Sequence, residues 1–545
     1  MKVKPFIILA ISLTAAHRSA GQKAAGDTVL KGSTIEVIQS YKPVVKKAPK
    51  PDWLPQLPPA DTARPAMTFD VPQQTLYYSY TSSPLRPLAL GKDSLVVPFP
   101  NYIKAGAGNL STLYLDAGIG GLRGADYQLP IHLHHLSQKG SIKGQQTSLS
   151  GLEAEGFYKK GKNDLHSAFS VERNQYYYYG YNHAQHDYAN DSIKQTFTGV
   201  HLEADAARVL NLGGRNIVFH PEIEGNIYAA RYNTTETGLG IKAPFSYRVD
   251  SALELMVALN ASFTRLKTPY MTDGNNLVGL YPGLALHTGK VTGHGILGFA
   301  AGKDGNVFVL PDIQAHYNIA GTALRLSGGW QASVRRNTYE QLTMENPYIV
   351  NAYTVKQTRR DEIFANLAGA AGAHITYTAR VSWWNFNALP VYLNHAGAAA
   401  DSKQFDLLYN DVSAFSLRGG ARYTETDKWS AGATAEFYNY YQGTLAHVWH
   451  EPTFRLRADL SVTPLKDLTI MAYGSVTAGM YAVNAAGQAV TLQPNTDIGI
   501  NGEYRLISRL TAFLQVDNLL NSKYERWLGY QAYGINIYGG LRLKF

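Results

Sequence analysis

The sequence predicts an all-β protein: an antiparallel, up-and-down β-barrel of about 22 strands that spans a membrane. Three observations predict it: a strictly alternating C-terminal strand, similar alternating segments along most of the chain, and a Tyr- and Gly-rich composition. A period of two is that of a β-strand, and in a membrane barrel the apolar face contacts lipid while the polar face lines the lumen. In the last strand one face carries Tyr533, Ile535, Ile537, Gly539, Leu541, Leu543 and Phe545, and the other carries Gly534, Asn536, Tyr538, Gly540, Arg542 and Lys544.

The composition narrows the protein class. The chain has 37 Tyr against 19 Phe, 50 Gly, 17% charged residues and no Cys. Amphipathic tyrosine rings form the interfacial girdles of outer-membrane barrels. The absence of Cys excludes disulfides, thiol catalysis and thiolate metal sites. The net charge of +9 includes cations of the N-terminal region, so we expect no nucleic-acid partner.

Residues 1–21 have the pattern of a secretory signal peptide. Met1–Pro5 is basic, Phe6–Ala16 is apolar, and Ser19–Gly21 offers small residues for cleavage before Gln22. The apolar stretch is too short to cross a membrane as a helix. We therefore expect export, and together with the barrel pattern this predicts the outer membrane of a Gram-negative bacterium.

Residues 22–72 form an extended, Pro- and Lys-rich segment in this interpretation, because such a tract favours polyproline geometry and cannot pack a core. Two roles stay open for residues 41–65. The tract either enters the lumen and occludes it, or remains in the periplasm as a tether to a partner. In the first case its lysines would meet inward carboxylates; these are Lys42, Lys46, Lys47 and Lys50.

Residues 73–545 form the predicted barrel. Short polar turns alternate with long loops, which in outer-membrane barrels face the periplasm and the exterior respectively. About 21 strands are visible, whereas bacterial single-chain barrels have an even number. The strand at Asn109–Ile119 needs an ascending partner before it, and Gln74–Tyr80 is the candidate that gives 22. The segment Thr338–Asn346 is the one place where a turn of helix is expected.

Charged residues on the predicted inner face suggest a network in the lumen. Paired carboxylates can also perform acid–base chemistry, but we find no hydrolase, metalloprotease or phosphate-binding motif and predict that the protein is not an enzyme. The predicted network consists of Glu153, Glu155, Glu172, Glu203, Arg455 and Arg457.

His132 and His134 share one strand face at a spacing that suits a transition metal. The sequence shows no third ligand, so a pair of lumen-facing histidines without metal is the favoured interpretation. We predict no metal and no cofactor.

Two tyrosine clusters lie at the predicted loop ends of ascending strands. The first interpretation is an aromatic belt at the membrane interface, and the alternative is stacking on a sugar or another ligand. The clusters are Tyr176–Tyr179 with Tyr181, and Tyr438 with Tyr440 and Tyr441.

The C-terminal residues resemble the last hairpin of the TonB-dependent outer-membrane receptors. That family's N-L-x-[DN]-x-x-Y…G-Y element matches about a tenth of the chain, although Ala532–Ile535 replaces the family's Pro-Gly-Arg. Phe545 resembles the terminal aromatic residue that the barrel-assembly machinery reads. The matching residues are Asn518, Leu519, Asn521, Tyr524, Gly529 and Tyr530.

The resemblance implies a receptor that binds a nutrient or takes it up across the outer membrane, with lipid, the barrel-assembly machinery and TonB or other envelope proteins as partners. The family's plug domain is longer than the segment available here, so we expect no plug. An alternative is a structural or assembly subunit of an outer-membrane complex, with a closed lumen. A weak match to the segment that adds a strand to TonB, which could equally be an ordinary linker, covers Thr34, Ile35, Glu36, Val37 and Ile38.

Overall fold

A computed structural model describes residues 101–545, apart from 162, 320–322, 351–352, 396–402, 426–427, 444 and 485. The predictions made for residues 1–100 lie outside the described residues. These are the signal peptide, the extended segment 22–72, the TonB-box-like motif, the strand at Gln74–Tyr80 and the absence of a plug.

The described chain forms a barrel of 22 antiparallel strands, which confirms the predicted fold class and strand number. The first eleven strands are β1 (Asn101–Gly108), β2 (Leu113–Ile119), β3 (Ile131–Lys139), β4 (Gln146–Lys160), β5 (Asn163–Tyr177), β6 (Lys194–Leu212), β7 (Glu222–Ala230), β8 (Thr234–Arg248), β9 (Leu253–Lys267), β10 (Leu277–His287) and β11 (Val291–Ala301). The other eleven are β12 (Val307–Asn318), β13 (Arg325–Arg336), β14 (Gln357–Ala371), β15 (Ile375–Asn394), β16 (Phe405–Glu425), β17 (Trp429–Gln442), β18 (Phe454–Leu465), β19 (Leu468–Ala478), β20 (Asn495–Ile507), β21 (Leu510–Asp517) and β22 (Asn536–Lys544).

The barrel closes between its first and last strands. In the β1–β22 register Lys104 lies opposite Arg542. Asn101 and Phe545 exchange backbone hydrogen bonds of 3.2 and 3.0 Å at the end of the seam. Because closure uses Asn101–Gly108 as the first ascending strand, the barrel is complete without Gln74–Tyr80.

Apolar side chains cover the outer face, as the alternating pattern predicts. On β22, Leu541 and Leu543 are 49% and 47% exposed, while Arg542 between them contacts Glu503 inside the barrel. Lys104 also pairs with Glu503, at 3.0 Å. These charged groups therefore lie on the lumen side, and the exposed apolar residues form the surface that lipid covers.

The two ends of the barrel differ in their connections. At one end, short turns such as 213–214 and 466–467 join the strands; at the other end the loops reach 337–356 and 518–535. The long-loop end is the extracellular side of an outer-membrane barrel.

Helices are short. Helix α1 spans Asn190–Ile193, helix α2 spans Tyr339–Glu345, and a 3-10 turn spans Lys303–Gly305. Helix α2 confirms the helical turn expected near Thr338, whose side chain caps it by accepting from Gln341 N at 3.2 Å. Within the described ranges, no helix has the length and apolarity needed to cross a membrane. Seven further short strands extend hairpins or loops: Tyr127–Gln128, Arg215–Phe219, Thr272–Gly274, Tyr481–Val483, Ala489–Thr491, Glu525–Trp527 and Tyr530–Gln531.

Candidate functional site

Three long loops meet over the extracellular mouth. They are loop 178–193 between β5 and β6, loop 337–356 between β13 and β14, and loop 518–535 between β21 and β22. Strands about 4.8 Å apart and tilted by about 40° place loops that start eight strands apart roughly 40 Å from each other at the rim. Contacts between these loops therefore require each of them to cross the opening.

Three tyrosine rings, one from each loop, make that contact. Tyr348 stacks on Tyr530 with ring centroids 3.6 Å apart and an interplanar angle of 18°. Tyr179 meets Tyr530 edge-on at 4.9 Å and Tyr348 at 6.3 Å. The Tyr179 hydroxyl also donates to Gln531 O at 2.8 Å. Stacked and edge-to-face pairs each contribute about 1 kcal/mol beyond simple burial, so these rings hold the three loops together.

We call the packed parts of these three loops the cap. Tyr178, Tyr179 and Tyr181 are 2%, 7% and 6% exposed within it. The prediction that this tyrosine run forms an interfacial belt is therefore wrong for these three residues, because the loop turns inward and buries them. Tyr441, on the outer face and 48% exposed, is in the position that the belt interpretation requires. The other apolar and aromatic cap residues below 10% exposure, apart from the stacked Tyr348 and Tyr530, are Ile193, Tyr339, Leu342, Ile349, Tyr353, Val355 and Trp527.

Helix α2 docks loop 337–356, which starts at β13, on the part of the barrel wall formed by β6, β7 and β8. The Glu236 carboxylate on β8 is fully buried and accepts from Tyr339 N at 2.6 Å and Glu340 N at 3.3 Å. The first amides of a helix have no partner within the helix, and a carboxylate there also interacts favourably with the helix dipole. Glu236 therefore serves as a docking point for the cap.

The side chains of α2 make further contacts with the same wall. Glu340 accepts from Asn226 Nδ2 at 3.0 Å and pairs with His201 Nε2 at 2.8 Å. Tyr228 and Thr343 share a hydrogen bond of 2.8 Å between their hydroxyls. These contacts join a loop that starts at β13 to strands β6, β7 and β8.

The C-terminal motif residues build the base and the tip of loop 518–535. Asn518 adopts φ 48° and donates to Ser522 O at 2.8 Å and Tyr533 O at 2.7 Å, which closes the base of the loop. Asn521 (φ 50°) accepts from Ile535 N at 3.0 Å. Asparagine is among the side chains that tolerate such left-handed positions. These contacts give both asparagines a structural role in the loop.

At the tip of the loop, Gly529 has φ 88°, and a Cβ there would lie 2.9 Å from Gly180 O. Glycine is therefore needed for two loops to approach each other. Tyr530 follows it and belongs to the ring contact. Tyr524 accepts from Ala532 N at 2.8 Å through its carbonyl, and Leu519 remains 43% exposed.

A polar cluster lies beneath the cap in loop 443–453. His450 is fully buried; its Nδ1 donates to Tyr392 O at 2.9 Å, and its own carbonyl accepts from Arg526. Burial lowers the pKa of His450 from 6.5 to about 4. Burial raises the pKa of Glu451 above its ordinary value. The cap therefore holds His450 in its neutral form.

We expect acid to loosen the cap through His450. The pKa of His450 is lower when the cap is packed than when it is open. Its contribution to the stability of the packed cap is therefore complete above pH 6.5 and is lost as the pH falls to about 4, a difference of about 3 kcal/mol. Protonation of Glu451 has the opposite effect: because burial raises its pKa, acid favours the packed state at this residue. The measurement is acrylamide quenching of Trp527, which is 5% exposed, taken as the difference from a Trp527→Phe variant.

His450→Asn is the matched control, because asparagine tolerates the φ of 60° and retains a donor for Tyr392 O. We expect quenching of the unsubstituted chain to rise between pH 6.5 and 4 and quenching of the variant to rise less. Equal pH profiles would contradict this role for His450.

The four glutamates predicted to face inward occupy one wall of the lumen. Ala168 lies directly between Glu155 and Glu203 in the strand register, and Glu203 lies opposite Glu224. Exposed apolar neighbours on the same strands, such as Leu202 at 59%, mark the opposite face as the lipid side. We call this surface on β4–β8 the acidic wall; its inward carboxylates are Glu153, Glu155, Glu172, Glu203, Asp205, Glu222, Glu224 and Glu236.

Arg455 and Arg457 belong to a separate, arginine-rich wall on β14–β18, about ten strands away. Arg455 lies 3.4 Å from Glu451 and 4.0 Å from Glu436. The ion pairs described for Arg455 thus involve nearby carboxylates, whereas the prediction had paired it with the acidic wall. The inward arginines of this wall are Arg360, Arg380, Arg418, Arg422, Arg455 and Arg457.

Sequence reasoning singled out Tyr179 and Tyr530 but missed Tyr348 and Glu236, and it did not predict that the three rings meet. Tyr348 lies in a loop without periodicity, and nothing in the sequence distinguishes Glu236 from other carboxylates on the strands. Tyr530 was found as a motif residue, but its place in the cap was not. The helix turn after Thr338 was the one available sign that loop 337–356 has structure of its own.

No protein-family model and no curated protein sequence matches this chain. Solved structures do match. The copper transporter OprC has a TM-score of 0.60 and 13% identity, over 82% of this chain and 80% of that chain. The FrpB iron transporter from Neisseria meningitidis (F3-3 variant) has a TM-score of 0.64 and 12% identity, over 83% and 82%. The siderophore receptor PirA from Acinetobacter baumannii has a TM-score of 0.64 and 9% identity, over 82% and 80%. The described chain therefore has the 22-strand barrel fold of the TonB-dependent outer-membrane receptors.

Proposed function

We propose that this protein is an outer-membrane receptor that binds a nutrient and takes it up across the outer membrane of a Gram-negative bacterium, with the cap as its extracellular gate. Three solved structures of the same fold are described as transporters of copper or iron or as a siderophore receptor. Their identities of 9–13% support the fold; uptake by this chain is our proposal.

The observation that carries the proposal is the contact of Tyr348, Tyr530 and Tyr179 between loops at the mouth of a lumen lined by polar and charged side chains. Tyr348, Tyr530 and Tyr179 join loops that share no covalent link, since the chain has no Cys. Beneath them, an acidic wall and an arginine-rich wall face each other across a lumen wide enough for a solute. Because these loops are held together only by noncovalent contacts, they can separate and open the lumen while the barrel strands stay paired.

A reducible cross-link between two loops of the cap tests this function. Tyr348→Cys and Tyr530→Cys would be joined by a short bifunctional thiosulfonate, which is feasible because their rings are 3.6 Å apart and no other Cys competes. Cells expressing this pair are incubated in complex medium, and mass spectrometry identifies solutes removed from it. We expect at least one solute to be taken up by reduced cells and not by cross-linked cells.

The matched control joins Asn484→Cys to Gln488→Cys, two residues of one hairpin whose side chains lie 3.4 Å apart. This link leaves the three loops independent, so uptake should be unchanged. Uptake of every solute at the same rate by locked and reduced cells would contradict the gate, and a closed structural subunit would then be favoured.

TonB and the barrel-assembly machinery are the protein partners that we propose. TonB would pair with the segment Thr34–Ile38 by strand addition. In the same uptake experiment, an Ile35→Pro variant with a reduced cap should lose uptake, because proline removes a backbone donor. Equal uptake by this variant would exclude the segment as the TonB contact.

We also expect residues 41–65 to occlude the lumen. The placement of Glu153, Glu155, Glu172 and Glu203 on one wall offers a partner surface for the Lys-rich tract, although each exposed ion pair contributes at most about 1 kcal/mol. Deletion of 41–65 should raise conductance in planar bilayers and sensitivity to bulky antibiotics. Unchanged permeability of a correctly folded deletion would favour the periplasmic tether.

A further inference from the structure

Two histidines and two carboxylates meet on the inner wall of β2, β3 and β4. In the strand register Asp116 lies opposite His134, and His132 lies opposite Glu153. One donor atom from each of His132, His134 and Glu153 lies within 4.8 Å of the other two. The structure thus supplies the third donor that the sequence did not show.

Each ring nitrogen of His132 lies near a carboxylate. Its Nε2 lies 2.9 Å from Asp116 Oδ2, and its Nδ1 lies 3.8 Å from Glu153 Oε2. In a neutral imidazole that donates from Nε2 to Asp116, Nδ1 is an acceptor, and it faces a second acceptor, the Glu153 carboxylate. A cation between them would remove this repulsion. A carboxylate that holds the far nitrogen of a histidine is also a common outer partner at metal sites.

The backbone makes room for the second imidazole. His134 lies opposite Gly151, where a Cβ would be only 2.3 Å from His134 Cε1. The two histidine rings have centroids 5.7 Å apart. His132 and Glu153 keep 37% and 47% of their side chains exposed to the lumen, so water can complete a coordination shell.

We infer that His132, His134 and Glu153 bind a divalent transition-metal ion, with Asp116 orienting His132. Two imidazoles and one carboxylate form a ligand set that suits Zn²⁺, and imidazole also suits Ni²⁺ and Cu²⁺. Three protein ligands leave a position open to water from the lumen. This site lies in the barrel wall and does not depend on the proposed uptake.

The test uses the tag-free full-length protein in detergent, stripped with a chelator and titrated with Co²⁺. Visible absorption reports coordination by nitrogen and oxygen, and Zn²⁺ should displace the Co²⁺ signal. We expect one ion per chain. His132→Ala, His134→Ala and Glu153→Gln should each weaken binding by about tenfold or more, and Asp116→Asn by about 10–100-fold.

His135→Ala is the matched control. His135 is on the same strand but on the face of Leu133, which is 39% exposed on the lipid side, and it hydrogen-bonds to Ser150 at 2.8 Å. Its removal should leave Co²⁺ binding unchanged. Heat-modifiable mobility on gels confirms that each variant is folded.

Two results would overturn the inference. The first is the absence of Co²⁺ or Zn²⁺ binding by the folded, unsubstituted chain at about 100 μM metal, roughly 100-fold above a micromolar Kd. The second is unchanged binding by a folded His132→Ala/His134→Ala variant, which would place the ion elsewhere, for example near His166, Asp205 and His220.

Discussion

Replacing Tyr348 and Tyr530 by alanine should open the extracellular mouth. The two rings are 8% and 3% exposed and stack at 3.6 Å, and truncating a buried aromatic side chain costs roughly 3 kcal/mol or more. The strands do not depend on this contact, so the barrel should persist while the loops separate. The expected result is faster access of large reagents to the lumen.

A single cysteine at Ser170 measures that access. Ser170 lies on the inner wall opposite Glu153 and His201, and the chain has no natural Cys. With Ser170→Cys, a membrane-impermeant maleimide applied to whole cells should react at least about tenfold faster in the double variant, since each 1.4 kcal/mol changes an equilibrium tenfold.

The control removes two tyrosines from the outer face, Tyr441 and Tyr504, which are 48% and 47% exposed. Their replacement by alanine should not change labelling of Ser170→Cys. If cells with the intact cap were labelled as fast as cells with Tyr348→Ala and Tyr530→Ala, the loops would not restrict entry, and the proposed gate would have to be abandoned.

Deleting Phe545 should lower the amount of folded barrel several-fold. Phe545 is 50% exposed on the lipid face, and its backbone exchanges two hydrogen bonds with Asn101 where the seam closes. Loss of these bonds leaves a free strand edge, which is costly in a membrane. The measurement is the heat-modifiable folded species in outer-membrane fractions.

Phe545→Ala separates the ring from the backbone, since it keeps the two hydrogen bonds with Asn101. If the barrel-assembly machinery reads the aromatic ring, this variant should also fold poorly. Ile507→Ala, at a lipid-facing position with 63% exposure near a periplasmic turn, is the control for lost apolar area. Normal folded amounts of the deletion would defeat the prediction.

The sequence alone determined the barrel, the two faces of each strand and the inward position of the glutamates. Alternation with a period of two assigns every residue of a strand to lipid or lumen without reference to the rest of the fold. Because bacterial single-chain barrels have an even number of strands, the count of about 21 was raised to 22. The missing strand proved to be Asn101–Gly108 and not Gln74–Tyr80. The helix turn after Thr338 was also readable, because a capping side chain acts locally.

Only the tertiary structure decided what lies next to what. Alternation gives the face of His132 and Glu153, but whether they are opposite each other depends on the β3–β4 register, which the connecting turn sets. The residues that meet in the cap are much farther apart in the sequence. Tyr348 and Tyr530 lie 182 residues apart and their loops start eight strands apart, so no local pattern connects them. Their contact exists because barrel closure places three loop bases around one opening, and burial of aromatic surface draws the loops across it.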